Sequence, residues 1–288
     1  MKRAGVIGHP LGHSISPAMF EAAFRAAGVD ATYEAWDTPP EALRGRIDAL
    51  RGDDFFGANV TVPYKEEVVP MLDALDDVAT RVGAVNTIVQ DGGALRGHNT
   101  DVYGFRRALE ETGFDPRGKR AVILGAGGAA RAVAAVLVDL GMQTIFVSSR
   151  NWRRADALVS ALRPATPSGT QVTWSHWEDG AFIRAVASAD LVVNATPAGT
   201  ARSELEGQAP TDTTLIREGA LAFDLVYNPP ETPFLGGARK QGARTVGGLS
   251  MLVYQAAEAF RLWTGREAPV DVMLSAAREA LGLAAAGT

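Results

Sequence analysis

Lysine is scarce in this chain. Only Lys2, Lys65, Lys119 and Lys240 appear among 28 basic residues. Lys65 closes an apolar, motif-like run, Asn59-Val60-Thr61-Val62-Pro63-Tyr64-Lys65, in a sequence that otherwise prefers arginine. The two side chains differ chemically: a guanidinium keeps its proton near neutral pH, and an ammonium can exchange one. Three more polar runs accompany this one. Gly8-His9-Pro10-Leu11-Gly12-His13-Ser14-Ile15-Ser16-Pro17 offers hydroxyls, Gly83-Ala84-Val85-Asn86-Thr87 an amide, and His98-Asn99-Thr100-Asp101 a carboxylate. Taken singly, each has a plain reading: Ser16 as a helix N-cap, Asn59 and Asn86 as turn residues, Thr100 or Asp101 as a cap. Taken together, hydroxyls, amides, one ammonium and one carboxylate suit a small polyhydroxylated acid.

A second kind of chemistry begins at Gly125-Ala126-Gly127-Gly128-Ala129-Ala130, which follows an apolar strand and opens a helix. That is the context in which glycines cradle a dinucleotide pyrophosphate at a helix N-terminus. NAD sites place Asp or Glu at the end of the next strand, against the ribose 2′-hydroxyl. Here that strand ends Val147-Ser148-Ser149-Arg150-Asn151, with Arg153 and Arg154 beyond and no carboxylate. Arg150 lies 25 residues after Gly125, where guanidiniums meet a 2′-phosphate, so the pattern favours NADP(H). Val193-Asn194-Ala195-Thr196-Pro197 and Phe223-Asp224-Leu225-Val226-Tyr227 read as strand exits lining the nicotinamide pocket. Hydride delivery to a ketone creates an alkoxide that needs a proton, and a lysine beside a carboxylate can supply and orient it.

The elements that must position these groups alternate. Strands are predicted at 4–8, 32–36, 55–60, 84–90 and 94–97, with helices at 17–27, 40–50, 65–75, 77–82 and 102–112. After a turn-rich linker at 113–119 come strands at 120–124, 144–148, 171–174, 191–194, 220–226 and 245–246, separated by helix-length segments. The end is helical, at 250–263 and 270–281, and the first of these is expected to pack back on the first domain. The fold expected is α/β: an N-terminal α/β substrate domain, 1–101 completed by 249–288, and a Rossmann-type, doubly wound parallel-sheet NADP domain, 102–248, with a cleft between them.

Bulk properties narrow the partners. A hydrophobic fraction of 47% and a charged fraction of 21% over 288 residues are those of a soluble globular protein. No apolar run is long enough to span a bilayer, and Met1-Lys2-Arg3 leads straight into a strand, so a cytoplasmic protein is expected. A net charge of −5 disfavours nucleic acid. With no cysteine and only His9, His13, His98 and His176, a metal site is not expected. A monomer or homodimer is expected.

The motifs, in their order, resemble the shikimate dehydrogenase family over nearly the whole chain. Ser14-x-Ser16-Pro17, Asn59-Val60-Thr61-x-Pro63-x-Lys65, Gly83 to Thr87, Asn99-Thr100-Asp101, the glycine loop and Gly248-x-x-Met251-Leu252-x-x-Gln255 all match. The resemblance implies reversible NADPH-dependent reduction of 3-dehydroshikimate to shikimate. It implies that Ser14 and Ser16 bind the substrate carboxylate, and that Thr61, Asn86, Tyr227 and Gln255 hold the carboxylate or ring hydroxyls. Lys65 and Asp101 then stand at the reacting centre. Cofactor contacts carried over are Gly125, Ala126, Gly127, Gly128, Ala129, Ser149, Arg150, Asn151, Arg154, Thr196, Leu225, Gly248 and Met251. Two departures from the family pattern stand out. Ser149 and Asn151 replace an Asn and a Thr beside Arg150, and Pro197 stands where a serine is usual. A quinate or dual-substrate dehydrogenase, including one that uses NAD, and a metabolite-sensing relative without chemistry are the alternatives.

Overall fold

Short apolar strands alternate with helices along the chain, and the two sheets they build differ in kind. The computed structural model describes residues 1–12, 14–177 and 179–283. His13, part of the first polar run, lies outside the described residues. The chain divides into two units, Met1–Gly104 with Leu252–Thr288, and Phe105–Met251.

The first unit runs β1 (Lys2–Gly8), α1 (Ser16–Ala26), β2 (Ala31–Asp37), α2 (Leu43–Ala49), β3 (Gly57–Val60), β4 (Ala74–Leu75), α3 (Asp77–Val82), β5 (Thr87–Asp91) and β6 (Ala94–His98). Its mixed sheet has the order β2-β1-β3-β5-β6-β4. Strand side chains alternate between faces, so Tyr33 and Trp36, three apart on β2, point to opposite sides. Trp36 joins a core with Ile7, Leu43, Ile47, Phe55, Val60, Tyr64 and Ile88. Tyr33 joins an aromatic cluster with Phe20 and Trp263.

α4 (Asp101–Glu110) carries the chain onward into β7 (Arg120–Leu124), α5 (Gly128–Asp139), β8 (Thr144–Ser149), α6 (Trp152–Leu162), β9 (Gln171–His176), α7 (Gly180–Ser188), β10 (Leu191–Asn194), β11 (Leu221–Asp224), α8 (Pro233–Lys240) and β12 (Arg244–Val246). The order β12-β11-β10-β7-β8-β9 is parallel throughout. Direction of strand addition reverses between β7 and β10, the place where open α/β sheets bind ligands. α9 (Leu249–Thr264) and α10 (Val270–Ala280) end the chain. α9 does return to the first unit: the Trp263 indole donates to the Ile88 carbonyl at 3.0 Å, and Phe260 packs on Phe24.

Three local expectations need correction. Residues 65–75 form no helix, only a 3-10 turn at Val69–Met71 followed by β4. Pro70 cannot donate to a helical ladder, and Asp73 N–H and Asp76 N–H pair instead with the Leu95 and Gly97 carbonyls of β6. Ser16 is not an N-cap. Ile15 holds that position, no side chain caps the helix, and the Ser16 N–H donates to Ser14 Oγ at 3.3 Å. α8 was not anticipated, although Thr232 caps it and Pro233 opens it. Gly236 and Gly237 in its middle are poor helix formers and hide it from a propensity reading.

Candidate functional site

Strand direction gathers the first unit's polar runs. β1 and β3 are parallel neighbours, Ile7 opposite Val60, so the Ser14–Ser16 and Thr61–Lys65 segments leave the same sheet edge. β5 is antiparallel to both β3 and β6, and the register aligns Asn59 with Thr87 and Thr87 with His98. Asn86 therefore enters β5, and Asn99 to Asp101 leave β6, at that edge too. Each loop is pinned from below. The Tyr64 ring is fully buried and its hydroxyl donates to the Thr38 carbonyl at 2.7 Å. The Lys65 carbonyl accepts from Val85 N–H at 2.7 Å. His9 Nδ1 and the Leu11 N–H both meet Asp37 Oδ1, which steadies the serine loop.

Lys65 and Asp101, 36 positions apart, meet as an ion pair. Lys65 Nζ donates to Asp101 Oδ2 at 2.5 Å, with side chains 14% and 5% exposed. A charge so far from water needs partners, and Asp101 has them. Asn86 Nδ2 donates to its other oxygen at 2.9 Å. Asp101 is also the first residue of α4, where the helix dipole favours negative charge. Asn86 is the hub: its Oδ1 accepts the Thr100 N–H at 2.7 Å, and its Nδ2 reaches Gln255 Oε1 at 3.3 Å. Lys65, Asn86, Asp101 and Gln255 are thus one hydrogen-bonded group.

Tyr33 was missed in the sequence. Its buried phenol donates to Asn59 Oδ1 at 2.8 Å, and Asn59 Nδ2 donates to Thr87 Oγ1 at 3.0 Å. Thr87 Oγ1 in turn reaches Asn86 Oδ1 at 3.2 Å. Burial pushes the Tyr33 hydroxyl well above the usual phenol range, opposed by the Ser16 side chain within hydrogen-bonding reach. A continuous hydrogen-bonded path therefore runs from Tyr33 through Asn59, Thr87 and Asn86 to Asp101. A lone strand tyrosine gives no signal of this, since its partner lies 26 residues on.

The second unit carries the candidate dinucleotide residues. Gly125 has φ +115°, and a Cβ there would stand 2.7 Å from the Ala195 carbonyl oxygen, so the turn after β7 admits only glycine. α5 starts at Gly128 with no side chain on its free N–H groups, as a pyrophosphate cradle requires. β8 ends in the half-buried Ser149, followed by the exposed Arg150, Asn151 and Arg154. The Arg153 guanidinium lies over the Trp152 ring at 4.9 Å, and Trp152 stacks on Trp174. On the far side of the switch point, Thr196 N–H and Oγ1 both donate to Asn194 Oδ1. A Cβ on Gly248 would lie 2.3 Å from the Leu225 carbonyl oxygen, so these two cofactor candidates adjoin. Met251 is buried, and Tyr227 is half-buried with its hydroxyl raised by burial. Among the described residues no cluster of His, Cys, Asp or Glu could hold a metal ion, and no helix is long and apolar enough to cross a membrane. These residues fit NADP(H): a glycine cradle, a helix N-terminus without a side-chain cap, and exposed arginines at the end of β8.

Known proteins bear on this arrangement. Three family descriptions match in succession: the shikimate dehydrogenase substrate binding domain at residues 6–88, shikimate / quinate 5-dehydrogenase at 107–225, and the shikimate 5′-dehydrogenase C-terminal domain at 248–278. A curated relative, the shikimate dehydrogenase (NADP(+)) of Moorella thermoacetica, is 50% identical over 282 residues, covering 98% of this chain and 94% of its own. The chain belongs to the shikimate dehydrogenase family. A crystal structure of the Thermus thermophilus shikimate 5-dehydrogenase with NADP(H) and shikimate aligns with TM-score 0.85 at 41% identity, covering 98% of this chain and all of that one. A Corynebacterium glutamicum quinate dehydrogenase in complex with NAD aligns with TM-score 0.85 at 37% identity, over 96% and 98% of the two chains.

In this member of the family, one of the two exchanged residues at the phosphate motif has a visible contact. Ser149 Oγ accepts the backbone N–H of residue 151 at 3.3 Å, so Ser149 braces the turn that presents Arg150. Nothing in the structure explains Pro197.

Proposed function

We propose that the chain catalyses reversible NADPH-dependent reduction of 3-dehydroshikimate to shikimate, a step of aromatic amino-acid biosynthesis. The observation that carries it is the desolvated Lys65–Asp101 pair, built into a polyhydroxyl-binding edge in a chain that also holds an NADP-type loop. When bound, the nicotinamide supplies the hydride that reaches the ketone carbon. The carbonyl π electrons then move to oxygen, and Lys65 Nζ donates a proton there. Solvent returns that proton to the lysine. In the oxidative direction Lys65 accepts it. Asp101 keeps the ammonium aimed and bonds a neighbouring substrate hydroxyl.

Ser14 and Ser16 receive the carboxylate. Thr61, Asn86, Tyr227 and Gln255 take the carboxylate or ring hydroxyls. Gly125 to Ala129 hold the pyrophosphate, and Ser149, Arg150, Asn151 and Arg154 the 2′-phosphate. Thr196, Leu225, Gly248 and Met251 border the nicotinamide. Residues 1–101 with 249–288 serve the substrate in this reading, and 102–248 the nucleotide. The protein acts in the cytoplasm as a monomer or homodimer, which light scattering of the purified chain distinguishes.

The direct test is steady-state oxidation of NADPH by 3-dehydroshikimate, with NADH alongside, and the reverse reaction with shikimate and quinate. A higher kcat/KM for NADH or for quinate overturns the assignment, because one hydroxyl contact can decide such a preference.

A further inference from the structure

Asp224 ends β11 with no exposed surface and no role in the reaction just described. Asn194 Nδ2 donates to its Oδ1 at 2.9 Å, and the Val226 N–H donates to the same oxygen at 3.0 Å. Thr232 Oγ1 donates to Oδ2 at 2.6 Å. No arginine, lysine or histidine is among these partners. Burial accordingly pushes the carboxyl up to about 6, against the three hydrogen bonds that lower it. An apolar residue here would avoid that cost, so retaining a charge calls for a reason.

The partners show what the charge does. Asn194 spends its remaining acceptor on Thr196, through both N–H and hydroxyl, and its Nδ2 also reaches the Ala198 carbonyl at 3.2 Å. Val226 separates Leu225 from Tyr227. Thr232 caps α8 by accepting the Leu235 N–H. One carboxylate thereby gathers the loop leaving β10, the loop leaving β11 and the start of α8, beside the point where strand order reverses.

We propose that Asp224 is a positioning residue for the nicotinamide end of the dinucleotide: it clasps the two strand-exit loops and so sets the places of Thr196, Leu225 and Tyr227. This rests on the reading of Thr196 and Leu225 as cofactor contacts.

The test compares two probes on the full-length protein. NADP⁺ uses the whole site; 2′,5′-ADP uses only the adenosine and 2′-phosphate end. Asp224→Asn keeps the shape but cannot accept all three donors at once. It is expected to weaken NADP⁺ binding about tenfold, the loss typical of a hydrogen bond to a charged group, and to leave 2′,5′-ADP binding within about twofold. Thr232→Val should do the same and Thr232→Ser should restore it. Equal weakening of both probes would mean a structural role only, and unchanged NADP⁺ binding would mean no role; either overturns the proposal. Thr196→Ala separates the premise from the inference. If it leaves NADP⁺ affinity untouched, the reading of the loop fails and the proposal falls with it. If it weakens NADP⁺ while Asp224→Asn does not, the inference alone fails.

Discussion

Two buried carboxylates anchor the two units, and they are compensated differently. Asp101 faces an ammonium and an amide, at 2.5 and 2.9 Å. Asp224 faces an amide, a hydroxyl and a backbone N–H, all neutral. The first arrangement includes a partner able to lose and regain a proton. The second has none, and can only hold. In the reading proposed above, charge placed beside an exchangeable proton serves chemistry, and charge held by neutral donors fixes loops. The contrast is sharpest in what happens when each carboxylate or its partner is altered.

Removing the exchangeable partner should have the largest effect. Lys65→Ala is expected to lower kcat by ~10²–10⁴, the usual worth of general acid–base help, with a smaller change in KM for 3-dehydroshikimate. Lys65→Arg should fail nearly as badly, because it keeps the charge and the ion pair but not the proton exchange. Single-turnover rates check both. A kcat within about threefold of wild type for either variant, under 1 kcal/mol in barrier, would move the proton step to another group. Asp101→Asn should also lower kcat, and comparing its pH–rate profile with that of Lys65→Ala divides their roles.

Altering the fixed charge should change stability instead. The folded pKa of Asp224 is raised to about 6 from an ordinary 3.8. As pH rises from about 4, the unfolded chain releases this proton first, so folding stability is lost progressively until pH passes about 6. The full penalty above that is on the order of 3 kcal/mol. Carboxylates lowered by hydrogen bonds, such as Asp73 beside Arg51 and Asp212 beside Thr214, slope the other way. The informative quantity is therefore a difference. Urea unfolding of Asp224→Asn and wild type should show the variant gaining relative stability between pH 4.5 and 7. A flat difference would show that the Asp224 charge is not buried at a cost.

Much of this contrast was open to sequence reading, and the rest depended on register. The glycine loop and the arginines beyond β8 could be proposed as a nucleotide site from sequence because that pattern lies in local chain order. Lys65 and Asp101 could each be suspected, but their meeting follows from β3, β5 and β6 aligning Asn59, Thr87 and His98 in one row. Asp224 was visible only as part of a strand exit, since its partners sit 30 residues before and 8 after. Where local preference misled, a tertiary contact had won: β6 draws Asp73 out of the helix expected at 65–75. The local arginine reading makes its own prediction. Arg150→Gln and Arg154→Gln should each raise KM for NADPH about tenfold, as loss of a charge-assisted phosphate contact implies, and barely alter KM for NADH. Equal loss with both nucleotides would remove these residues from 2′-phosphate recognition.

The smallest expected effect tests whether the first unit's network acts as one piece. Tyr33 donates to Asn59 on the path to Asp101, and its ring lies parallel on Phe20 of α1, the helix that begins at Ser16, with centroids 4.2 Å apart. Tyr33→Phe keeps the stack and deletes one oxygen. It leaves Asn59 Oδ1 without its donor in a buried setting, a loss of about 1 kcal/mol in stability. If the path transmits position, KM for 3-dehydroshikimate should rise a few-fold with kcat little changed, since Tyr33 packs on the helix that begins at Ser16, and Asn86 keeps its direct bonds to Thr100 and Asp101 when Tyr33 is altered. The coupling can be read by combining Tyr33→Phe with Ser16→Ala. Residues sharing one network are non-additive, so the double variant should lose less than the sum of the two. Additive losses would show that Tyr33 stabilises the aromatic core alone and that Ser14 and Ser16, the serines proposed to bind the carboxylate, are positioned by their own loop.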